Sequence, residues 1–310
     1  MPRAAMIGAG LIGRAWAQVF ARAGWDVTVY DAAPGAAALA GASISEGLHE
    51  LASHGLIDDP QAAFARIRLI DDLAGAVEGA DFVQENTPET VDAKRAIFAE
   101  LDRLVPQNIV LASSTSAIVA SRFTQELAGR ARCLVAHPVN PPHLVPLVEL
   151  VGAPWTAPAT ILRAKQVYES IGQVPIVVKK EIEGFVLNRL QGALLAEAFR
   201  LVGDGYVSPQ DCDKTLKDGL GLRWSFMGPF ETIDLNAPGG MADYCARYTG
   251  FYRNLQAVPA GPDVFEAENV ESVLQQWGLA PDRARLDARM AWRDRRLAAL
   301  KAHKVSQSDT

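Results

Sequence analysis

Cysteine is scarce in this sequence of 310 residues, with only Cys133, Cys212 and Cys245, and none of them stands in a CxxC motif. Scattered thiols in odd number argue against a disulfide framework or a thiolate zinc site, so we expect no metal and a reducing cytoplasmic location. Apolar runs of membrane-spanning length and a secretory signal are also missing. With no basic stripe and a net charge of −6, nucleic acid is a poor partner.

The composition that remains is that of a globular protein, with 49% hydrophobic and 21% charged residues. Its length favours two domains. The first 180 or so residues alternate short β-branched runs with helical stretches, the pattern of a parallel sheet covered by helices. The predicted strands are Ala4–Ile7, Asp26–Tyr30, Arg66–Leu69, Asp81–Glu85, Ile109–Ala112, Cys133–Ala136, Leu147–Val151 and Val174–Val178. The predicted helices between them are Leu11–Ala23, Ala36–Ser53, Val91–Leu104 and Pro158–Ser170.

A charged break at residues 179–184 separates two compositions. Beyond it, the stretch from Phe185 to Val202 is apolar on nearly every face, which predicts a buried helix at the centre of a second, helical domain. The stretch from Asp282 to Lys304 interleaves Arg, Asp and Leu and predicts a solvated helix with i,i+4 ion pairs. We therefore predict a nucleotide-type domain over residues 1–182 and a helical domain over residues 183–310.

A glycine motif follows the first predicted strand and opens the first helix, with Gly8, Gly10 and Gly13 in GxGxxG spacing. Such glycines allow a tight turn, close approach of a pyrophosphate and close helix–strand packing. Asp31 ends the second strand about 20 residues later, as the dinucleotide fingerprint requires. Its carboxylate suits a ribose 2′-hydroxyl and repels a 2′-phosphate, so NAD is favoured over NADP. The alternative is that the glycines serve only a turn.

His137 ends the sixth predicted strand and is followed by prolines that bar both helix and interior strand. Glu149 lies in the next apolar run, where a lone carboxylate is costly unless it has a partner. A histidine held by a buried carboxylate is a candidate general base. The residues alone leave a second interpretation equally open, in which His137 is a satisfied core side chain and Glu149 faces outward.

Two further polar features fall near the predicted crevice. Ser113-Ser114-Thr115-Ser116 ends the fifth strand, where hydroxyls are useful beside a reacting oxygen, although such clusters more often cap a helix. Asn188 lies early in the apolar second-domain helix, where an interhelical hydrogen bond is the more ordinary explanation.

Taken together, these motifs resemble the 3-hydroxyacyl-CoA dehydrogenase family, and more closely its lambda-crystallin branch, L-gulonate 3-dehydrogenase. The matching segments, which span nearly the whole chain, are Gly8-x-Gly10-x-x-Gly13, residues 113–116, His137-Pro138-Val139-Asn140-Pro141-Pro142, Glu149, residues 184–191, Gly219-Leu220-Gly221-Leu222-Arg223, Gly228-Pro229, Leu235-Asn236-Ala237 and Trp292-Arg293-Asp294. The resemblance implies a Rossmann-type doubly wound, mostly parallel sheet followed by an all-α C-terminal domain. It also implies a dimer formed through that second domain.

The resemblance also implies roles for individual residues. His137 corresponds to the general base that removes the hydroxyl proton as hydride leaves for the nicotinamide, and Glu149 to the carboxylate that orients it. Ser116 and Asn188 correspond to groups that hydrogen-bond the reacting oxygen, and Asn140 to one that fixes the nicotinamide end or the histidine loop. The other implied cofactor contacts are Leu11 and Ile12 through their amides, with Glu89 and Lys94. A simple surface pair is the alternative for the last two.

The substrate is less determined than the chemistry. A CoA ester carries phosphates that call for Lys or Arg, and residues 31–64 contain neither. A small free 3-hydroxy acid, such as L-gulonate or 3-hydroxybutyrate, therefore fits better. Arg223 is a speculative partner for its carboxylate, with a surface or subunit-interface ion pair as the alternative.

Three other functions stay open. The first is oxidation of a 3-hydroxyacyl-CoA, such as 3-hydroxybutyryl-CoA. The second is L-carnitine dehydrogenase activity, for which Trp224, Phe226 and Phe230 could form an aromatic cage. The third is a non-enzymatic, crystallin-like structural role, which the retained Ser116, His137, Glu149 and Asn188 disfavour.

Overall fold

The computed structural model describes residues 1–278 and 281–307. Its centre is an eight-stranded sheet in the order β3-β2-β1-β4-β5-β6-β7-β8. The strands are β1 Arg3–Ile7, β2 Asp26–Tyr30, β3 Ile67–Ile70, β4 Phe82–Glu85, β5 Val110–Ser113, β6 Cys133–Pro138, β7 Leu147–Gly152 and β8 Val174–Val178. All neighbouring pairs are parallel except β6 and β7, which run antiparallel. The fold is therefore the predicted doubly wound, mostly parallel sheet.

The central strands β1, β4, β5 and β6 are buried on both faces because they are mostly apolar, as parallel strands under helical cover usually are. Ala4 and Met6 of β1 point into a core with Trp16 and Phe20. The alternate residue Ala5 belongs with Ile7 to the core on the opposite face. This alternation follows from the two-residue period of a strand.

Helices cover both faces. The helices of residues 1–186 are α1 Leu11–Arg22, α2 Ala36–Ser53, α3 Pro60–Phe64, α4 Leu73–Val77, α5 Val91–Leu104, α6 Ser121–Thr124 and α7 Pro158–Ser170. Their starts follow familiar capping rules: Asp59, Asp72 and Thr90 each accept a hydrogen bond from a backbone amide in the first turn. A short 3-10 helix covers Arg130–Arg132.

The described residues pack as two compact units. One contains residues 187–278 and 281–282, and the other contains residues 1–186 and 283–307. The helical unit contains α8 Leu187–Gly203, α9 Pro209–Lys214, α10 Gly221–Trp224, α11 Pro229–Leu235, α12 Gly240–Leu255 and α13 Ala267–Trp277, with a π-helix at Thr215–Leu220 and a 3-10 helix at Pro262–Phe265. The last helix, α14, covers Arg283–Ser306. Packing units need not coincide with domains, so the division into residues 1–182 and 183–310 stays a prediction.

One expectation about the second unit is wrong. The apolar helix α8 is not buried at the centre of this chain, because only Val202 is buried among its residues. Leu190 is 65% exposed. An apolar helix that its own chain leaves uncovered has the composition of an interface.

All eight predicted strands and the four predicted helices of the first part are present, with ends that differ by at most two residues. The short helices α3, α4 and α6 are not among the predicted elements. Within the described residues, no helix combines the length and apolarity needed to cross a membrane.

Candidate active site

The turn between β1 and α1 leaves room only for glycine at two places. Gly8 has φ +103°, and a Cβ there would lie 2.6 Å from the carbonyl oxygen of Asn86. A Cβ on Gly13 would lie 1.8 Å from the carbonyl oxygen of Gly8. A Cβ on Gly10 would face open space. As the N-cap of α1, Gly10 has no side chain that could accept hydrogen bonds from the first-turn amides. The first-turn amides of α1 are therefore presented to an anion that approaches over Gly10.

Asp31 lies beside this turn at the end of β2. Its Oδ2 accepts a hydrogen bond from the Ala9 amide at 2.7 Å, and its Oδ1 accepts one from the Ala33 amide at 2.9 Å. The carboxylate thus ties the glycine turn to the second strand. Gly8, Gly10 and Asp31 line a cavity of about 730 Å³ that extends to residues 93–100 of α5. That volume lies within the range of small-molecule and cofactor sites.

His137 and Glu149 form a buried pair. The antiparallel register of β6 and β7 places these residues directly opposite each other, and His137 Nδ1 lies 2.8 Å from Glu149 Oε2. Glu149 is fully buried and His137 is 6% exposed. When the imidazole is neutral, an Nδ1–H that donates to the carboxylate leaves the lone pair on Nε2. The structure excludes the alternative of an outward-facing glutamate.

A strained turn supports this pair. Phe185 has φ +49°, the only positive φ of a non-glycine residue in the described chain, and its ring packs 5.3 Å from the imidazole of His137. The turn brings the Val186 amide to Glu149 Oε1 at 2.9 Å. Both carboxylate oxygens of Glu149 are therefore engaged. Strain of this kind persists where surrounding contacts enforce it, often at functional sites.

The Ser113–Ser116 segment is held by acceptors from β4 and its following loop. Ser113 donates to Glu85 Oε2 at 2.5 Å, and Ser114 donates to Asn86 Oδ1 at 2.7 Å. Glu89 Oε1 accepts from the Thr115 hydroxyl at 2.5 Å and from the Ser116 amide at 3.0 Å. The cluster therefore organises a loop instead of capping a helix. Of the four, only Ser116 is exposed.

Lys94 forms a buried ion pair with a carboxylate that the motifs did not indicate. Its Nζ lies 3.1 Å from both oxygens of Glu85, against 3.8 Å from Glu89 Oε2. Lys94 is 1% exposed and Glu85 is fully buried. The alternative of a simple Glu89–Lys94 surface pair is wrong.

Asn140 lies in the loop of residues 139–146 that joins β6 to β7. With Leu11 and Arg14 of α1, it lines a second cavity of about 380 Å³ that also borders α2 and α14. Ile12, the residue after Leu11, packs against the first core.

The remaining candidate residues lie in the helical unit. Asn188 is the second residue of α8 and is half-buried. Arg223 is exposed on α10, and no ion pair within residues 1–278 and 281–307 includes it. An aromatic row, Tyr244, Tyr248 and Tyr252, follows one face of α12.

Sequence reasoning missed Glu85 and Phe185. A signal for Glu85 was present, since this carboxylate ends the apolar strand β4 and needs a partner for the same reason as Glu149. For Phe185 no residue pattern reports a positive φ outside glycine, although the preceding Gly184 marks a turn.

The chain matches known proteins along most of its length. The family model of the 3-hydroxyacyl-CoA dehydrogenase NAD binding domain matches residues 3–182, and that of the family's C-terminal domain matches residues 184–274. Rabbit (Oryctolagus cuniculus) lambda-crystallin is 45% identical over 305 residues, which cover 96% of this chain and 95% of the relative. L-carnitine dehydrogenase of Pseudomonas aeruginosa is 40% identical and covers 79% of this chain and 76% of its own.

Among solved structures, the NAD+-dependent dismutase 5-formyl-3-hydroxy-2-methylpyridine 4-carboxylic acid 5-dehydrogenase superposes with a TM-score of 0.87 at 30% identity. It covers 99% of this chain and 100% of its own. The similarity therefore extends over both units.

Proposed function

Because this chain belongs to the 3-hydroxyacyl-CoA dehydrogenase family and is an NAD-dependent oxidoreductase, we propose that it oxidises the 3-hydroxyl group of a small free 3-hydroxy acid. The observation that carries the proposal is the buried hydrogen bond of 2.8 Å between His137 and Glu149. The residues around the glycine turn fit NAD, since Gly10 faces open space and the Asp31 carboxylate beside the turn can accept from a ribose hydroxyl.

The chemistry divides between cofactor and protein. When bound, NAD supplies the acceptor for the hydride that leaves the substrate's carbinol carbon. His137 Nε2 takes the hydroxyl proton, so that the alcohol becomes a ketone and the imidazole becomes a cation. Glu149 holds the ring through Nδ1 and stabilises the positive charge that develops on it.

We assign the other site residues by position within the family motifs. Ser116 and Asn188 hydrogen-bond the reacting oxygen, and Asn140 fixes the nicotinamide end of the cofactor. The amides of Leu11 and Ile12 bind the pyrophosphate. Glu89, which holds Ser116 by its amide, and the buried Lys94 complete the cofactor side, where the structure supports a positioning role for both.

The proposed substrate is a free acid because the helix after β2 offers no cation to a CoA phosphate. Residues 31–64, which include α2, contain no Lys or Arg but contain Glu46, Glu50, Asp58 and Asp59. The extensive similarity to lambda-crystallin supports the L-gulonate 3-dehydrogenase branch. Arg223 is the candidate partner of the substrate carboxylate.

The second candidate function is L-carnitine dehydrogenase, which the 40% identity to the Pseudomonas aeruginosa enzyme favours. A quaternary ammonium needs aromatic faces. Trp224, Phe226 and Phe230 are 40%, 68% and 72% exposed, so their rings are accessible.

His137→Gln tests the proposed base. Turnover of the accepted substrate should fall by at least a hundredfold, because the variant loses general base catalysis, while NAD affinity measured by calorimetry stays within twofold. His303→Gln, which changes an exposed histidine of α14, is the matched control. Equal loss of NAD binding in the first variant would make His137 a structural residue and contradict the proposal.

A substrate panel decides among the candidate functions. Initial rates of NAD reduction should be compared for L-gulonate, 3-hydroxybutyrate, L-carnitine and 3-hydroxybutyryl-CoA. We expect the highest kcat/KM with one of the two free acids that carry no ammonium group. A clear preference for the CoA ester or for L-carnitine would overturn this ranking, and no reduction with any of the four compounds would overturn the proposed function.

A further inference from the structure

The loop between β6 and β7 receives little support from its own backbone. The β6–β7 ladder ends at the pair Pro138 and Val148, and one further bond joins the Val139 amide to the Leu147 carbonyl at 3.4 Å. Three of the next seven residues are prolines, which have no amide to donate. The Leu144 and Val145 amides both bond the carbonyl of Pro141. The position of the loop therefore depends on contacts from elsewhere.

Those contacts come from two helices that converge on one atom. Arg22 Nη1 of α1 donates to the backbone oxygen of His143 at 2.9 Å, and Lys301 Nζ of α14 donates to the same oxygen at 3.1 Å. Leu144 packs beside them in a small core with Leu51 and Ala298. The tip of the loop is thus fixed by both polar and apolar contacts.

The two cations are held at this oxygen at a cost. Burial lowers the pKa of Lys301 to about 7 and that of Arg22 to about 10. Neither has a carboxylate partner among the ion pairs of the described chain. The nearby Asp294 is paired with Arg293. Two desolvated cations that serve a single carbonyl do more for loop position than for stability.

We propose that Lys301, with Arg22, is a positioning residue for the dehydrogenase reaction: from α14 it fixes the loop of residues 139–146 and so the placement of Asn140. The inference rests on the proposed function, since it gives the C-terminal helix a task in that reaction. Lys301 contacts the loop at His143, three residues beyond Asn140, and acts only through it.

Lys301→Met tests this role with a matched control on the same helix. Below pH 7, where Lys301 carries its charge, removing this charge-assisted hydrogen bond should lower kcat/KM about tenfold. Lys301→Arg, which keeps a cationic donor, should recover most of that loss. Lys304→Met, at an exposed position, should leave kcat/KM unchanged. Equal rates for Lys301→Met and Lys304→Met would overturn the inference.

A double-mutant cycle separates positioning from general damage. If Lys301 acts through the loop, adding Lys301→Met to Asn140→Ala should cause little further loss, because the two changes affect the same interaction. Losses that multiply fully would contradict the proposal. If Lys301→Met does not fold, as judged by circular dichroism, Lys301→Gln replaces it in both experiments.

A readout independent of activity distinguishes failure of this inference from failure of the proposed function. Amide hydrogen exchange of residues 139–147 should be faster in Lys301→Met than in the unmodified protein or in Lys304→Met. Unchanged exchange overturns the inference whatever the enzyme does. An unmodified protein that oxidises none of the four substrates overturns the proposed function alone, since the loop measurement still stands.

Discussion

Lys301 is also the residue whose charge most directly links stability to pH. Its pKa is about 7 in the folded chain, against an ordinary value of 10.5, because burial and then the neighbouring Arg22 disfavour the ammonium. The cost of the charge is fully present below about pH 7 and is relieved as pH rises toward 10.5, since the unfolded chain binds the proton more tightly in that interval. His143 also lies near Lys301, but burial lowers the pKa of its imidazole to about 4. It therefore titrates below the interval from pH 7 to 10.5.

The free energy of unfolding should therefore rise from about pH 7 to pH 9 in the unmodified protein relative to Lys301→Met. Urea denaturation at both pH values measures the difference. Arg22, Arg293 and Asp294 are the other charged groups near His143, and the pKa of Arg22, about 10, lies above this interval. Parallel behaviour of the two proteins would show that Lys301 is not desolvated as described.

Asp31 carries a prediction about cofactor choice. With its carboxylate beside the glycine turn, the unmodified protein should use NAD far better than NADP, because a 2′-phosphate would meet a negative charge. Asp31→Ala should lower the preference mainly by raising KM for NAD, while the rate at saturating NAD stays near that of the parent. Efficient use of NADP by the unmodified protein would contradict the assignment.

For single residues, the sequence is most informative where a charged side chain falls in an apolar strand. The apolar run around Glu149 favours a partner but leaves an outward-facing side chain equally open, and the structure shows that His137 is the partner. The same conflict between charge and burial holds at Glu85, whose partner is Lys94. The hydrogen bond from the Ser116 amide to Glu89 could not be predicted from the sequence, because it joins two loops 27 residues apart through a backbone group.

Among elements, β4 and α5 are joined by the buried pair of Glu85 and Lys94. Lys94→Met should lower the free energy of unfolding by about 3 kcal/mol or more, because it leaves Glu85 as an uncompensated buried charge. Lys165→Met, which breaks an exposed i,i+4 pair with Glu169 on α7, should change it by less than about 1 kcal/mol. Chemical denaturation of both variants makes the comparison. Similar losses would mean that water reaches the buried pair.

The elements themselves were predictable where their pattern is long. The strands and the helices α1, α2, α5 and α7 follow from periodicity, β-branched runs and capping residues. The five-residue helices α3 and α4 were missed because too few residues show a period. The position of helix α8 was predicted correctly, but its burial was not. A helix that is apolar on every face can be covered by its own chain or by another, and the sequence does not distinguish the two.

For the whole molecule, the uncovered apolar surface of the helical unit predicts self-association. Val202 and Val264 are the only buried hydrophobic residues described there, whereas Leu190, Phe226 and Phe230 are all at least 65% exposed. Exposed apolar surface on this scale indicates an interface, and we propose a homodimer. Light scattering after size exclusion should give twice the chain mass of 33.3 kDa.

Leu190→Asp should weaken that dimer, because it places a charge on the uncovered face of α8. Leu39→Asp is the matched control, since Leu39 is 78% exposed on α2 in the first unit. A monomeric parent at micromolar concentration would contradict the proposal. Equal weakening by both changes would place the interface elsewhere.

The single reversal of strand direction has a consequence for how this chain can vary. Because His137 and Glu149 are cross-strand neighbours in one ladder, a slip of one residue would send one of them to the opposite face of the sheet. Residues 139–146, in contrast, can change in length without altering that pairing. The hairpin therefore pairs His137 with Glu149 in only one register, and an insertion in its loop would keep that register while displacing Asn140.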